Sequence, residues 1–147
     1  LKTYPQIDLK YYFQATIDPI TEQGLRQQLS PYLSADPMDS AGELLSFIHQ
    51  AFPYAIDEQQ FGKENYLLIE EILHYQASDC EDRSFLYAWL VRNLLGKKIV
   101  GLDYPGHVST ALLEDGELVS ADPTYIGAEL GQIMPKYVNV EPTVIEF

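Results

Sequence analysis

The amino-acid sequence predicts an α+β domain in which helices pack on an antiparallel β-sheet. Three observations carry that expectation. From Leu44 to Phe52 the apolar residues recur three and four apart, which is the period of a helix, and from Phe85 to Val91 they form the unbroken run of a buried one. From Ile99 onward they come in short runs separated by Pro-Gly and Asp-Gly pairs, the pattern of hairpins. At 147 residues the chain has the length of one domain. A chain of that size buries roughly 68–70% of its unfolded surface.

Each element has a local reason. Residues 1 to 38 carry the weakest pattern. Asp8 to Ile17 alternates and is rich in aromatics (Tyr11, Tyr12, Phe13), which predicts a strand or an extended arm. Together with Tyr4, these rings are expected to pack across the core. Thr21 to Leu33 reads as a short helix with Thr21 as N-cap and Pro31 near its end. Ser34 to Pro37 is a loop. Asp39 or Ser40 then caps a helix on which Leu44, Leu45, Phe47, Ile48, Ala51 and Phe52 recur at helical spacing, and Pro53 stops it. Asp57 to Asn65 is polar and loop-like, and Tyr66 to Tyr75 is a short helix.

Ser78 and Glu81 have the spacing of a capping box, with Asp79 and Asp82 as a second register. The run from Phe85 to Val91 is apolar on nearly every side, as in a buried helix. Gly96 is its stop, and Lys97 and Lys98 complement its dipole. Strands follow over Ile99 to Leu102, His107 to Leu113 and Leu118 to Ala121. A Tyr104-Pro105-Gly106 turn and an Asp115-Gly116 hairpin join them. Asp122-Pro123 ends the third strand, Gly127 to Pro135 is irregular or a short helix, and Thr143 to Phe147 is a last strand.

Composition narrows the function. Nine Lys+Arg against 22 Asp+Glu give a net charge of −13, and the basic residues are scattered. Nucleic acid and anionic membrane surfaces both need a basic patch, so neither is an expected partner. No run of 18 apolar residues exists, and no insertion of this segment into a membrane is expected. The sequence opens on Leu1 rather than Met; if an export segment lies upstream, the periplasm or cell envelope is the expected location. The single cysteine, Cys80, excludes an internal disulfide and a zinc site of several thiolates. A metal held by Asp103, His107 and Asp122 lacks a compact ligand motif, so no metal or cofactor is expected. His49 and His74 read as structural.

A lone thiol is either an inert core residue or a reactive one. Cys80 falls in the first turn of the buried helix, where unpaired N–H groups and the dipole favour a thiolate. Asp79, Glu81 and Asp82 oppose this. They are expected to point to other sides of the helix, so that the dipole and a paired base prevail. The helix runs about 22 Å from Cys80 to Leu95, and the next strand returns about 20 Å from Lys98 to Tyr104. An antiparallel strand therefore delivers His107 near Cys80. A two-residue turn at Asp115-Gly116 puts Ser109 opposite Asp122, which makes Asp122 a diagonal neighbour of His107, with Cα atoms about 7–8 Å apart. Thiol, imidazole and carboxylate thus converge. In such a set the imidazole takes the thiol proton, the carboxylate orients the imidazole, and the N–H of Cys80 is placed to donate to an oxyanion.

Three motifs resemble one family. Ser78-Asp79-Cys80-Glu81-Asp82-Arg83-Ser84, Pro105-Gly106-His107-Val108 and Asp122-Pro123-Thr124-Tyr125 occur in the order seen in the transglutaminase-like superfamily, in particular its bacterial cysteine peptidases. Phe52 to Asp57 is similar to the segment before the nucleophile, and Ser78 stands where Gly is more usual. The likeness runs from about Ala41 to Tyr137, leaving residues 1 to 40 as an N-terminal extension packing on a domain of residues 41 to 147. It implies a papain-like core and a Cys80–His107–Asp122 triad acting through an acyl-thioester on a peptide or protein substrate. Gln76 and Tyr54 are the candidates for a second oxyanion donor. The alternative is a non-catalytic or vestigial module of a larger cell-envelope protein. The sequence leaves oligomeric state open.

Overall fold

The structure, a computed structural model, describes residues 8–53, 66–75 and 77–147. Helices α1 (Leu9–Gln14), α2 (Pro19–Leu29), α3 (Pro37–Ala51), α4 (Ile69–His74) and α5 (Cys80–Leu95) precede strands β1 (Ile99–Tyr104), β2 (His107–Glu114), β3 (Glu117–Ala121) and β4 (Thr143–Ile145). Short 3-10 turns occupy Ser30–Tyr32 and Pro135–Tyr137. The strands form one antiparallel sheet in the order β3-β2-β1-β4. This is the α+β architecture the sequence predicts.

The N-terminal helices start earlier than their patterns suggest. Asp18 caps α2 by accepting from the N–H groups of Ile20 and Thr21 at 3.1 and 2.9 Å, and Asp36 caps α3 by accepting from Met38 N at 2.9 Å. Thr21, Asp39 and Ser40 are therefore not the caps. Pro19 and Pro37 follow the caps directly, where a missing N–H costs nothing and a fixed φ suits the first turn. Residues 9–14 form a helix rather than an extended arm. The reason is tertiary: the adjacent rings of Tyr12 and Phe13 both pack on Phe85, at 5.3 and 4.9 Å between centroids. In a strand they would face opposite ways. Phe13 also stacks on Phe147 at 4.8 Å and lies against Gly101, where a Cβ would sit 2.6 Å from its ring.

Helix α5 is the core. Cys80 and every residue from Asp82 to Val91 are buried. Gly96 ends it at φ 64°, a left-handed conformation that favours glycine. Side chains alternate across the sheet. Ile99, Val108 and Leu112 join the core around α5 and α3. Leu102, Tyr104 and Ala111 pack on the other face with Tyr137, Met134 and Val140 from the segment after β3. The β2–β3 register pairs Glu114 with Glu117 and Thr110 with Ala121, as a two-residue Asp115-Gly116 turn requires.

One buried side chain joins these layers. Arg83, 1% exposed, sits one turn beyond Cys80. It donates from Nη2 to Ile48 O at 3.0 Å, from Nη1 to Phe52 O, and from Nε to Pro123 O at 2.9 Å. The first two carbonyls belong to the end of α3, where helical acceptors lack partners. The third follows Asp122. Arg83→Met orphans three acceptors, so urea unfolding should show a loss of about 3 kcal/mol or more. Arg83→Lys should recover only part of it, because one ammonium lacks the planar fork. A loss below 1 kcal/mol would show that the three carbonyls find other partners.

Candidate active site

His107 and Asp122 meet as the hairpin register requires. His107 Nε2 lies 2.7 Å from Asp122 Oδ2, with both side chains at least nine-tenths buried. Asp122 Oδ1 accepts from the N–H groups of Thr124 and Tyr125 at 2.9 and 3.2 Å. Its backbone carbonyl accepts from His49 Nε2 at 2.9 Å, while Gly127 N donates to His49 Nδ1 at 3.3 Å. Those two bonds set the tautomer of His49 as Nε2–H. His49 is thus structural in a specific sense: it ties α3 to the turn that carries Asp122. His74, by contrast, lies edge-on to Tyr75 at the exposed end of α4, with centroids 5.5 Å apart.

Aromatic rings cover the imidazole. The Tyr137 ring stacks on His107 with centroids 5.2 Å apart and planes at 14°, and Tyr104 lies 6.3 Å away at 24°. The Tyr137 hydroxyl donates to Pro105 O at 3.2 Å, inside the turn that precedes His107. Neither Tyr137 nor Arg83 has a sequence signal of its own; each acts on partners more than 25 residues away.

Cys80 opens α5 at the end of β2. Ser84, one turn on, donates to Val108 O at 3.2 Å, which seats the start of the helix on β2. Asp79 is the N-cap residue, but its side chain makes no capping bond, so neither predicted capping box forms. Asp82, fully buried, accepts instead from Leu67 N at 2.9 Å.

The acidic neighbours do not all turn away. The Cys80 thiol donates to Glu81 Oε2 at 3.3 Å, and no hydrogen bond joins it to His107. Burial first, then the Glu81 charge, push the thiol pKa above its ordinary value, and Asp79 adds to this. The nearby Val108 backbone opposes them and is outweighed. The expectation that the helix dipole and a paired base prevail is corrected: in this state the thiol is protonated. Burial and the nearby Glu81 also push the Asp79 carboxyl up to about 7.

Two expectations test these electrostatics. Glu81→Gln removes the charge against the sulfur, so iodoacetamide should modify Cys80 about tenfold faster at pH 8; an unchanged rate would mean that burial alone controls the thiol. Asp79 holds its proton more tightly in the native state than the roughly 3.9 of a free carboxyl allows. Its stabilising contribution is therefore complete below about pH 4 and is lost as pH rises through about 7. The urea midpoint should fall between pH 5 and pH 8, and Asp79→Asn should flatten that fall. The same slope in the variant would assign it to another group.

Gln76 and Tyr54 lie outside the described residues. Among the described residues no group of three His, Cys, Asp or Glu side chains is arranged to hold a metal ion, and no helix is long and apolar enough to cross a membrane. A cavity of about 520 Å³ between α2 and α3, lined by Leu25, Leu29, Tyr32, Leu44 and Phe47 among others, shares no residue with Cys80, His107 and Asp122.

No protein-family model matches the chain, and no curated protein matches it significantly. Among solved structures it is similar to "a Putative Cysteine Protease from Cytophaga hutchinsonii", with a TM-score of 0.57 and 12% sequence identity. The alignment covers 100% of this chain and 55% of that one, so the chain spans about half the length of that protein. The likeness is one of fold.

Proposed function

We propose that the chain is a thiol-dependent acyl-transfer enzyme of the transglutaminase-like type that hydrolyses peptide or amide bonds. One observation carries the reading: a buried, doubly anchored His107–Asp122 pair at the end of the strand on which the Cys80 helix begins. The fold shared with the Cytophaga protein supports it.

In this reading His107 turns its Nε2–H to Asp122 and keeps Nδ1 for the thiol. That ring nitrogen has no hydrogen-bond partner among the described residues. Substrate binding displaces Glu81 from the sulfur, and the thiol proton passes to Nδ1. The thiolate adds to the amide carbonyl carbon, and the Cys80 N–H donates to the oxyanion. His107 gives its proton to the leaving amine, the C–N bond breaks, and a thioester remains. Water then adds with His107 as base, the C–S bond breaks, and the acid leaves with the thiol restored. An amine in place of water gives transfer. Asp122 stabilises the imidazolium throughout. With 22 acidic residues against nine basic ones, neutral or basic peptides are the favoured substrates.

The locked thiol favours a second reading, a module whose site is vestigial. Mass spectrometry of Cys80 after incubation with a peptide library separates the two. The enzyme reading expects acyl adducts and cleaved products that vanish in Cys80→Ala and fall by about 10³-fold or more in His107→Ala and Asp122→Asn. Peptides that bind without any adduct or product would support the vestigial module.

A further inference from the structure

We infer that Tyr137 is the positioning residue of His107, its ring face fixing the imidazole plane and favouring the charged imidazole, and its hydroxyl anchoring the turn that presents it. The inference rests on the acyl-transfer reading above.

The contacts are two and independent. The ring lies nearly parallel to the imidazole, 14° off at 5.2 Å, an offset stack that shields part of one face, and both residues are buried, Tyr137 at 6% and His107 at 7% exposed. Its hydroxyl donates to Pro105 O at 3.2 Å, and Tyr104 and His107 pair across that same turn. Tyr104 packs against Tyr137 at 4.9 Å and lies at 24° to the imidazole, so the two rings flank it together. A nearly parallel stack leaves the ring only rotation within its own plane, and the 2.7 Å bond to Asp122 fixes that rotation. Both degrees of freedom of the base are thereby set, one by each neighbour.

The Tyr137 ring also carries a quadrupole with a negative face. A cation over a Tyr face is attracted to it, more strongly where water is excluded. The mechanism passes through an imidazolium, so Tyr137 acts on the state that carries the reaction. Lys136 Nζ lies 5.5 Å from the same ring and is exposed, which makes it a weaker competitor for that face. Among the described residues, ionisable groups on elements around His107 include Asp122 after β3, Asp103 and Tyr104 on β1, His49 on α3, and Asp79 to Arg83 at the start of α5. Burial, with Asp122 second, pushes Tyr104 above its ordinary value, so it stays neutral across the working range.

The test is the rate of acyl-enzyme formation against substrate concentration, followed by mass spectrometry of Cys80. Tyr137→Leu removes the ring. It should lower the limiting rate about tenfold with substrate KM unchanged. Tyr137→Phe keeps the face, and should lower the rate by no more than a few-fold. If the Leu variant does not fold by thermal melting, Tyr137→Met fills the volume without a π face and carries the same expectation. A folded Leu or Met variant with the wild-type rate overturns the inference. Failure of the acyl-transfer reading shows separately, as acylation of the wild type that is absent or indifferent to His107→Ala.

Discussion

A guanidinium in the middle of the protein fixes how its layers meet. Arg83 is almost wholly removed from water, and its donors reach the last carbonyls of α3 and the carbonyl that follows Asp122. Burying such a group is costly unless its hydrogen-bonding capacity is met. That condition holds only when α3, α5 and the turn after β3 are all in place. Because Arg83 shares a helix with Cys80, the same side chain fixes where the thiol stands relative to the carboxylate. His49 repeats the device from the other side, reaching from α3 to the Asp122 carbonyl. Two side chains thus tie the Asp122 turn to the helical layer.

The electrostatics at the head of α5 run in opposite directions within one turn of helix. Unpaired N–H groups and the dipole favour negative charge there. Burial and a carboxylate at 3.3 Å disfavour it. The buried Asp79 shows which side prevails, since it too holds its proton well above the ordinary carboxylate range. A dipole worth about 1 kcal/mol is outmatched by desolvation of a group this deep. The thiol is therefore kept neutral by its surroundings, and charge can develop on it only when those surroundings change.

Much of the fold and half of the candidate site were legible in the sequence, for a reason that can be named. The hairpin register follows from a two-residue turn, so the approach of His107 to Asp122 could be counted out residue by residue. The buried helix and its Gly96 stop were equally plain. What escaped depends on partners far along the chain. The aromatic run at Tyr11 to Phe13 alternates like a strand, yet both inner rings need Phe85, and only a helix turns them both toward it. Arg83 and Tyr137 look like ordinary polar positions until α3 and the Pro105 turn are folded against them. Glu81 was expected to face away from Cys80, because sequence spacing fixes a helical direction but not a rotamer.

The spacing of the site along the chain has a consequence for synthesis. Cys80 is made first, and 27 positions separate it from His107, which lies 15 before Asp122. His107 and Asp122 close through a tight hairpin, a local event on the microsecond scale. Cys80 takes its place beside β2 only through long-range packing of α5. A chain growing from its N-terminus thus carries an ordinary, solvated cysteine until the hairpin has emerged and docked. Concealment of the thiol, in this arrangement, is a property that the nascent polypeptide acquires last.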